Sequence, residues 1–193
     1  MIPALIPAWL LASAAPALAD EPVEGLALSV GVHMTGAPRV VWAGEALAGE
    51  SYAGFFTGVL GEFAYRRFVG RGQLDIALPS TFSGDFSSQL ERAGALTGSL
   101  GVRLGDHRDP GLSVDLMGTL GGAWLFYNFV DTFGDGSPQF GITVAPRLAL
   151  NRRIALGLSF RHLGGASVGE GSPITRTDIG ATVTIRLFTL AMR

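Results

Sequence analysis

The sequence of 193 residues contains no cysteine and no lysine. The absence of cysteine excludes disulfide bonds, thiol nucleophiles and cysteine metal sites. All 14 basic residues are arginines, and the formal net charge of -2 gives no reason to expect a nucleic-acid partner. Any chemistry must therefore come from hydroxyl, carboxylate, imidazole or guanidinium groups, and the sequence predicts no cofactor and no metal site.

A long apolar run occurs only at the N-terminus. The first nineteen residues, MIPALIPAWLLASAAPALA, carry no charged side chain and end in a small-x-small pattern before the acidic DEPVE. This pattern is typical of a secretory signal peptide, so we expect residues 1–19 to be removed and residues 20–193 to form one domain. A membrane anchor is the alternative, but the stretch is short for a spanning helix. Further on, the longest uncharged stretch, Leu116 to Val130, is short and broken by glycines.

Strict alternation of apolar and small or polar residues recurs along the rest of the chain. From Leu26 to Met34 the even positions are Leu, Leu, Val, Val and Met, whereas the odd positions are Ala, Ser, Gly and His. A period of two over this length predicts a strand with two different faces. The same pattern returns near residues 53–68, 73–78, 96–104, 112–120, 140–148, 154–160 and 179–187, which brings the count to about eight strands.

The two faces point to a membrane barrel. The non-apolar face is mostly Gly, Ala, Ser and Thr, and the 28 glycines are spread along the whole chain. Small residues suit the crowded interior of a narrow barrel, whereas unbroken Leu, Val, Ile and Phe suit lipid outside it. A sheet in hydrocarbon must also close, because an open edge leaves backbone groups unpaired.

The predicted connections alternate in length, as they do in outer-membrane barrels. The long ones are Thr35–Ser51, Ser80–Ala93, Asp131–Gln139 and Gly164–Arg176, and the short ones are Val69–Gly72, Asp106–Gly111 and Asn151–Arg153. We therefore predict an all-β, antiparallel, transmembrane up-and-down β-barrel of about eight strands. It would be integral to the cell outer membrane after secretion across the inner membrane, with both termini on the periplasmic side.

Strand parity places a nearly balanced set of charges in the lumen. The set comprises Glu62, Arg66, Asp75, Arg103, Asp115, Arg147, Arg161, Asp178 and Arg186. Hairpin geometry would bring Arg66 near Asp75 and Arg103 near Asp115, where opposite charges offset each other's desolvation. Eight strands leave a bore just wide enough for side chains to fill, which favours a plugged lumen over a pore. His33 shares this face, and we expect its neighbours to satisfy it.

The C-terminus raises the question of how such a barrel is inserted. Outer-membrane barrels commonly resemble one another in ending on an aromatic residue that the barrel-assembly machinery reads. Here the chain continues from Phe188 through TLAMR, and parity places Phe188 on the luminal face. Either the signal is the end formed by Ile185 to Phe188, followed by a short tail, or insertion follows a less standard route.

One candidate site stands out in the stretch SFRHLGGAS, Ser159 to Ser167. Continuing the parity of Leu156, Leu158 and Phe160 puts His162 on the lipid-facing side, at the extracellular end of its strand. Ionisable groups in contact with hydrocarbon are rare and often functional. At the membrane interface, however, a histidine is tolerated as an amphipathic edge residue.

This arrangement resembles the lipid A 3-O-deacylases (acyloxyacyl hydrolases), small outer-membrane barrels with a His-x-Ser-Asn motif and an acid early in the last strand. The layout from Leu112 to Phe188 resembles that family throughout. The resemblance implies a triad acting on lipopolysaccharide, with His162 as general base. The serine and asparagine positions are Gly164 and Gly165 here, and the acid position falls nearest Thr177. Ser167 would be a displaced nucleophile, and Asp178 a displaced acid.

Because the motif serine is missing, the sequence favours a non-catalytic barrel that contacts lipopolysaccharide and other outer-membrane lipid. A lipid A deacylase-type ester hydrolase is the alternative, with His162, Ser167 and Asp178 as its site. A narrow solute channel is a third and weaker alternative, since it rests only on the luminal charges. The sequence says nothing about the oligomeric state.

Overall fold

The chain folds into eight antiparallel strands that close into a single barrel. The computed structural model describes residues 25–42, 50–83, 90–105, 110–127, 135–166 and 173–191. Each strand pairs with the next one in sequence, and β8 closes the barrel against β1. The strands are β1 (Gly25–Trp42), β2 (Glu50–Tyr65), β3 (Phe68–Ser83), β4 (Leu90–Gly105), β5 (Gly111–Tyr127), β6 (Asp135–Ala149), β7 (Ile154–Gly165) and β8 (Ile174–Ala191). The predicted fold class is confirmed.

The alternation in sequence becomes an inside-out distribution of polarity. Leu120 of β5 is 69% exposed, whereas its neighbour Thr119 is 2% exposed. Each strand has exposed aliphatic residues, such as Val30, Val59, Ile76, Leu96, Leu116, Ile142, Leu158 and Val183. The buried face carries polar residues, such as His33, Glu62, Asp75, Thr97, Thr119, Thr143, Ser159 and Thr184. Such a surface is stable in hydrocarbon, so the strands are built to span a bilayer. No helix in the described ranges is long and apolar enough to cross a membrane.

The two ends of the barrel differ. At one end, here called the turn end, β2 and β3 are joined through Arg66 and Arg67, and β6 and β7 through residues 150–153. The first and last strands meet at the same end, where Gly25 pairs with Ala191. The opposite end, the loop end, receives the longer connections. The prediction that both ends of the barrel domain share one side is confirmed for the described residues, whereas residues 1–19 lie outside them.

The strands extend further towards the loop end than the apolar alternation indicates. β1 runs to Trp42 rather than ending near Met34, with a register shift between Ala37 and Val40. β3 likewise runs past Leu78 to Ser83. Pairing between backbone groups does not require apolar side chains, so the strands can continue beyond the apolar alternation. Hydrophobic periodicity therefore marks only the apolar part of each strand and misses its loop-end extension.

The turn between β2 and β3 was predicted at Val69–Gly72, and this is wrong. It consists of Arg66 and Arg67, and Val69 through Gly72 belong to β3. Arg66 has a positive φ of 53°, a conformation that tight hairpins usually assign to Gly, Asn or Asp. The two glycines of VGRG therefore resemble a turn sequence although they lie within β3, whereas the actual turn contains no glycine.

A bulge near the C-terminus corrects the expected orientation of Phe188. The pairing of β1 with β8 shifts between Leu28, which pairs with Phe188, and Ser29, which pairs with Arg186. The extra residue, Leu187, is 57% exposed, and Phe188 is also exposed rather than luminal. A single inserted residue reverses the parity of everything beyond it. Phe188 therefore faces outwards, at the turn end of the last strand.

Gly58 lies in the lumen so close to two neighbouring groups that a side chain at this position would collide with them. A Cβ added at Gly58 would collide with the Leu74 carbonyl oxygen and would lie 2.7 Å from His33 Nε2. We expect Gly58→Ala to lower the free energy of unfolding by about 1–3 kcal/mol, since overpacking forces backbone shifts. Gly72→Ala is the matched control, because its Cβ would meet nothing within 4 Å. Urea titrations of both variants in lipid vesicles measure the difference, and equal midpoints would contradict this account.

Candidate functional site

The turn-end half of the lumen holds a cluster in which carboxylates are outnumbered. This turn-end ionic layer consists of Glu62, Arg71, Arg103, Asp115 and Arg147. Glu62 accepts from Arg71 Nη2 at 2.7 Å and from Arg103 Nη2 at 3.0 Å, and Arg147 Nη1 lies 3.4 Å away. Asp115 accepts from Arg103 Nε at 2.6 Å, and Arg71 Nη2 lies at 3.4 Å. Two carboxylates are thus shared among three guanidinium groups.

These contacts confirm one predicted pair and correct another. Arg103 and Asp115 are directly opposite in register and hydrogen bonded, as predicted. The prediction that Arg66 is luminal and pairs with Asp75 is wrong. Arg66 is exposed in the turn, with its guanidinium 5.4 Å from the centre of the Tyr65 ring. Once the turn is placed at residues 66–67, Arg71 stands opposite Glu62 instead. Sequence reasoning missed Arg71 because it lay inside the misplaced turn.

A second cluster fills the lumen nearer the loop end. This loop-end ionic layer consists of Asp75, Arg161, Arg176, Asp178 and His33. Asp75 accepts from Arg161 Nη2 at 2.8 Å and from Arg176 Nη2 at 2.7 Å. Asp178 accepts from Arg161 Nε at 2.8 Å and from Arg176 Nε at 2.7 Å. Two carboxylates and two guanidinium groups form a closed set, so each charge has two partners of opposite sign.

Arg176 contacts both carboxylates of this layer, although the sequence pattern does not single it out. It is 1% exposed and packs its guanidinium 4.1 Å from the centre of the Phe56 ring. The apolar alternation on β8 begins at Ile179, so the sequence pattern assigns Arg176 to the preceding loop. His33 is luminal and satisfied, as predicted, because Nε2 lies 3.2 Å from Asp75 Oδ1 and 3.3 Å from the Leu74 carbonyl oxygen.

An uncharged row separates the two layers. Thr119 Oγ1 lies 2.9 Å from Ser99 Oγ and 2.8 Å from Thr143 Oγ1, so three adjacent strands are joined by hydroxyl groups. On each of these strands the hydroxyl lies four residues nearer the loop end than the charged residue of the turn-end ionic layer. All three residues are buried. The described part of the lumen is therefore filled by side chains joined by ion pairs and hydrogen bonds, although some guanidinium nitrogens, such as Arg147 Nε, have no hydrogen-bond partner.

His162 faces outwards at the loop end of β7, as parity predicts. It is exposed, and its Nδ1 lies 2.9 Å from Thr177 Oγ1 on the paired strand β8. His162 and Thr177 are direct partners in register, so the hydroxyl occupies the place where the deacylase resemblance implies an acid. The nearest partner of this imidazole is thus a neutral side chain that does not supply the charge of a triad acid.

Of the other two predicted site residues, Asp178 is described by the structure and is not brought to His162. Asp178 is 1% exposed in the lumen, on the opposite face of the sheet, and both of its oxygens are engaged by Arg161 and Arg176. Ser167 lies outside the described residues. At the motif positions, Gly164 and Gly165 offer no side chain. No group of three or more potential metal ligands comes together in the parts of the chain that the structure describes.

The outer wall carries a groove floored by glycines. Gly72 of β3 and Gly98 of β4 are direct partners, and these outward-facing glycines line the groove together with Gly118 of β5. The groove has a volume of about 850 Å³. Its apolar rim is formed by Phe63, Leu100, Leu120, Phe140 and Ile142. The groove lies within the apolar belt of the wall, where lipid chains would surround the barrel.

No protein-family model matches this sequence, and no curated protein does either. Among solved structures, the chain is similar to neisserial surface protein A, with 14% identity and a TM-score of 0.62 over 85% of this chain and 100% of that one. It is also similar to Ail, the attachment invasion locus protein of Yersinia pestis, with 12% identity and a TM-score of 0.45 over 83% and 99% of the two chains. The similarity to neisserial surface protein A shows a shared fold, that of a small eight-stranded barrel.

Proposed function

We propose that this protein is a non-catalytic barrel of the Gram-negative outer membrane whose outer wall contacts lipopolysaccharide. The observation that carries the proposal is the inside-out polarity of a closed eight-stranded barrel. Closed barrels with short turns at one end and longer loops at the other are the form in which strands cross the outer membrane. The fold shared with neisserial surface protein A supports the same location.

The difference between the turn end and the loop end supports one orientation of the barrel in the membrane. With the turn end in the periplasm, the loop end reaches the leaflet that carries lipopolysaccharide. The exposed His162 and its partner Thr177 then lie at the edge of the apolar belt, where a polar pair is within reach of lipid headgroups. The glycine-floored groove supplies a recess of about 850 Å³ on the lipid-facing wall, suited to acyl chains. The proposal includes secretion across the inner membrane and insertion by the barrel-assembly machinery.

Two features favour a non-catalytic role over deacylation. Hydrolysis by a triad needs a nucleophile and a charged partner within hydrogen-bond reach of the base. The partner of His162 is the neutral Thr177, and the motif serine position is Gly164. A deacylase would depend on Ser167 and on a rearrangement that turned Asp178 out of the lumen.

The packed and paired lumen likewise disfavours a solute channel, and a steady open current in planar bilayers would contradict a closed lumen.

The deciding experiment incubates the reconstituted barrel with lipopolysaccharide and follows lipid A by mass spectrometry. We expect no loss of a 3-linked acyl chain, and the wild type and His162→Ala should give the same spectra. A known deacylase in the same vesicles serves as the positive control. Loss of an acyl chain that His162→Ala abolishes would establish the hydrolase instead. Contact with lipopolysaccharide is measured in a separate experiment, in which adding lipopolysaccharide should raise the apparent unfolding temperature of the barrel. No rise would contradict the proposed contact.

A further inference from the structure

Two turns at the turn end of the barrel carry exposed arginines, and nothing in the proposed role at the loop end uses them. Arg66 and Arg67 form the β2–β3 turn, and Arg152 and Arg153 lie in the β6–β7 turn. Arg66, Arg67 and Arg153 are exposed. Among the described residues of this end, the carboxylates are Glu62 and Asp115, and both are engaged inside the lumen by arginines. The exposed charge of these two turns is therefore entirely positive.

The two turns lie on opposite sides of the barrel. Two strands, β4 and β5, separate them in one direction, and β8 and β1 separate them in the other. The charges therefore flank the barrel at one level instead of forming a patch on one side. Inside the barrel at the same end, the turn-end ionic layer holds three arginines against two carboxylates. A partner that binds both turns would have to be anionic and available on both sides of the barrel.

The apolar belt reaches directly to these arginines. Phe68, the residue after Arg67, is 64% exposed, and Leu148 and Leu156 flank the other turn on the same outward face. An arginine one or two residues beyond such a belt lies at the level of the lipid headgroups, with its stem along apolar surface and its guanidinium among the phosphates. The guanidinium fork matches a phosphate bidentately, which a lysine ammonium cannot do.

The backbone of both turns is already fixed. The Arg67 carbonyl accepts from Arg103 N at 2.7 Å, and the Arg153 carbonyl accepts from Arg186 N at 2.7 Å. Asn151 Oδ1 accepts from the backbone N–H groups of Arg153 and Ile154 at 2.8 and 2.9 Å. The guanidinium groups are thus presented from ordered turns, so little backbone entropy is lost when a headgroup binds.

We infer that Arg66, Arg67 and Arg153, the exposed arginines of these two turns, bind the phosphate groups of anionic phospholipids in the periplasmic leaflet. The inference rests on the proposed membrane location and concerns the leaflet opposite to lipopolysaccharide. It assigns a lipid-binding role to Arg66, Arg67 and Arg153 and makes phosphatidylglycerol a better neighbour than phosphatidylcholine. Attraction of this kind is expected wherever basic groups meet an anionic headgroup layer.

Native mass spectrometry of the barrel released from nanodiscs containing equal amounts of phosphatidylglycerol and phosphatidylcholine tests this inference. The wild type should retain phosphatidylglycerol over phosphatidylcholine by about tenfold. The triple variant R66Q/R67Q/R153Q should retain the two equally, because glutamine keeps the side chain polar without charge. The matched control is R39Q/R92Q, which removes arginines from the loop-end halves of β1 and β4 and should keep the preference.

Each remaining outcome counts against the inference. Equal retention of the two lipids by the wild type overturns it, as does an unchanged preference in the triple variant or a loss of preference in R39Q/R92Q. Flotation with liposomes separates this failure from failure of the proposed membrane location. A barrel that floats with vesicles of either lipid yet shows no preference refutes lipid binding alone. A barrel that floats with neither refutes the membrane role.

Discussion

Asp75→Asn should lower the free energy of unfolding by about 3–5 kcal/mol, the cost of leaving buried charge without its partner. Asp75 is 0% exposed and accepts hydrogen bonds from Arg161 and Arg176, with His33 Nε2 at 3.2 Å. Asparagine preserves the volume of the side chain but removes its charge, so the guanidinium groups of Arg161 and Arg176 are left sharing Asp178. Urea unfolding from lipid vesicles, followed by heat-modifiable migration on gels, measures the loss.

The control for Asp75→Asn is the double variant D75N/R161Q. It removes one charge of each sign and leaves Arg176 with Asp178, its hydrogen-bonded partner at 2.7 Å. Because the remaining charges balance, we expect the double variant to be more stable than Asp75→Asn alone. A single variant within about 1 kcal/mol of the wild type would contradict the structural role given to the loop-end ionic layer, since that is the range of an exposed pair.

Leu120→Arg should cost about 2–4 kcal/mol, the penalty for an arginine on the lipid face of a barrel near the bilayer midplane. Leu120 lies near the middle of β5 and is 69% exposed, so the substitution disturbs no internal packing. In a water-soluble barrel the same change would be neutral or favourable. The sign of the effect therefore reports directly on what surrounds the wall.

Leu112→Arg is the matched control for depth, because Leu112 faces outwards on the same strand, next to its turn-end terminus. The penalty there should fall to about 0–1 kcal/mol, since the guanidinium can reach the interface. Both variants are measured by chemical unfolding in the same vesicles. Equal penalties at the two positions would mean that no depth gradient acts on the wall, and would contradict a membrane-embedded belt.

The sequence was sufficient for the architecture because lipid imposes a simple constraint on the outer face. Residues such as Val30, Leu96 and Ile142 must be apolar wherever the wall meets hydrocarbon, so alternation marks each spanning segment. The same alternation assigned His162 to the outside and Asp178 to the lumen, as the structure does. Strand number and topology, and the facing of residues within the regular part of each strand, could thus be predicted without any tertiary information.

The features that the sequence did not predict correctly concern the register of neighbouring strands. The β2–β3 turn uses Arg66 at positive φ, without a glycine or asparagine, and its misplacement concealed the pairing of Arg71 with Glu62. The bulge at Leu187 reversed the expected direction of Phe188. Both features depend on how neighbouring strands pair, which local pattern does not encode.

The candidate site was only partly accessible from sequence for a related reason. Parity identified His162, and the register of β7 with β8 adds that its imidazole contacts Thr177. Which luminal charges pair depends on contacts across the bore, such as that between Arg161 and Asp75, which are 86 positions apart in the chain. Contacts of this kind have no counterpart in the spacing of residues along one strand.

The hydroxyl row formed by Ser99, Thr119 and Thr143 has a consequence for how this barrel can change over evolutionary time. The row lies between the two ionic layers, and among the described luminal residues the carboxylates of each layer pair with arginines of that same layer. Energies of substitution at sites without shared partners add almost independently. The lumen is thus modular: one half can exchange its charges without compensation in the other, while the lipid-facing wall stays the same.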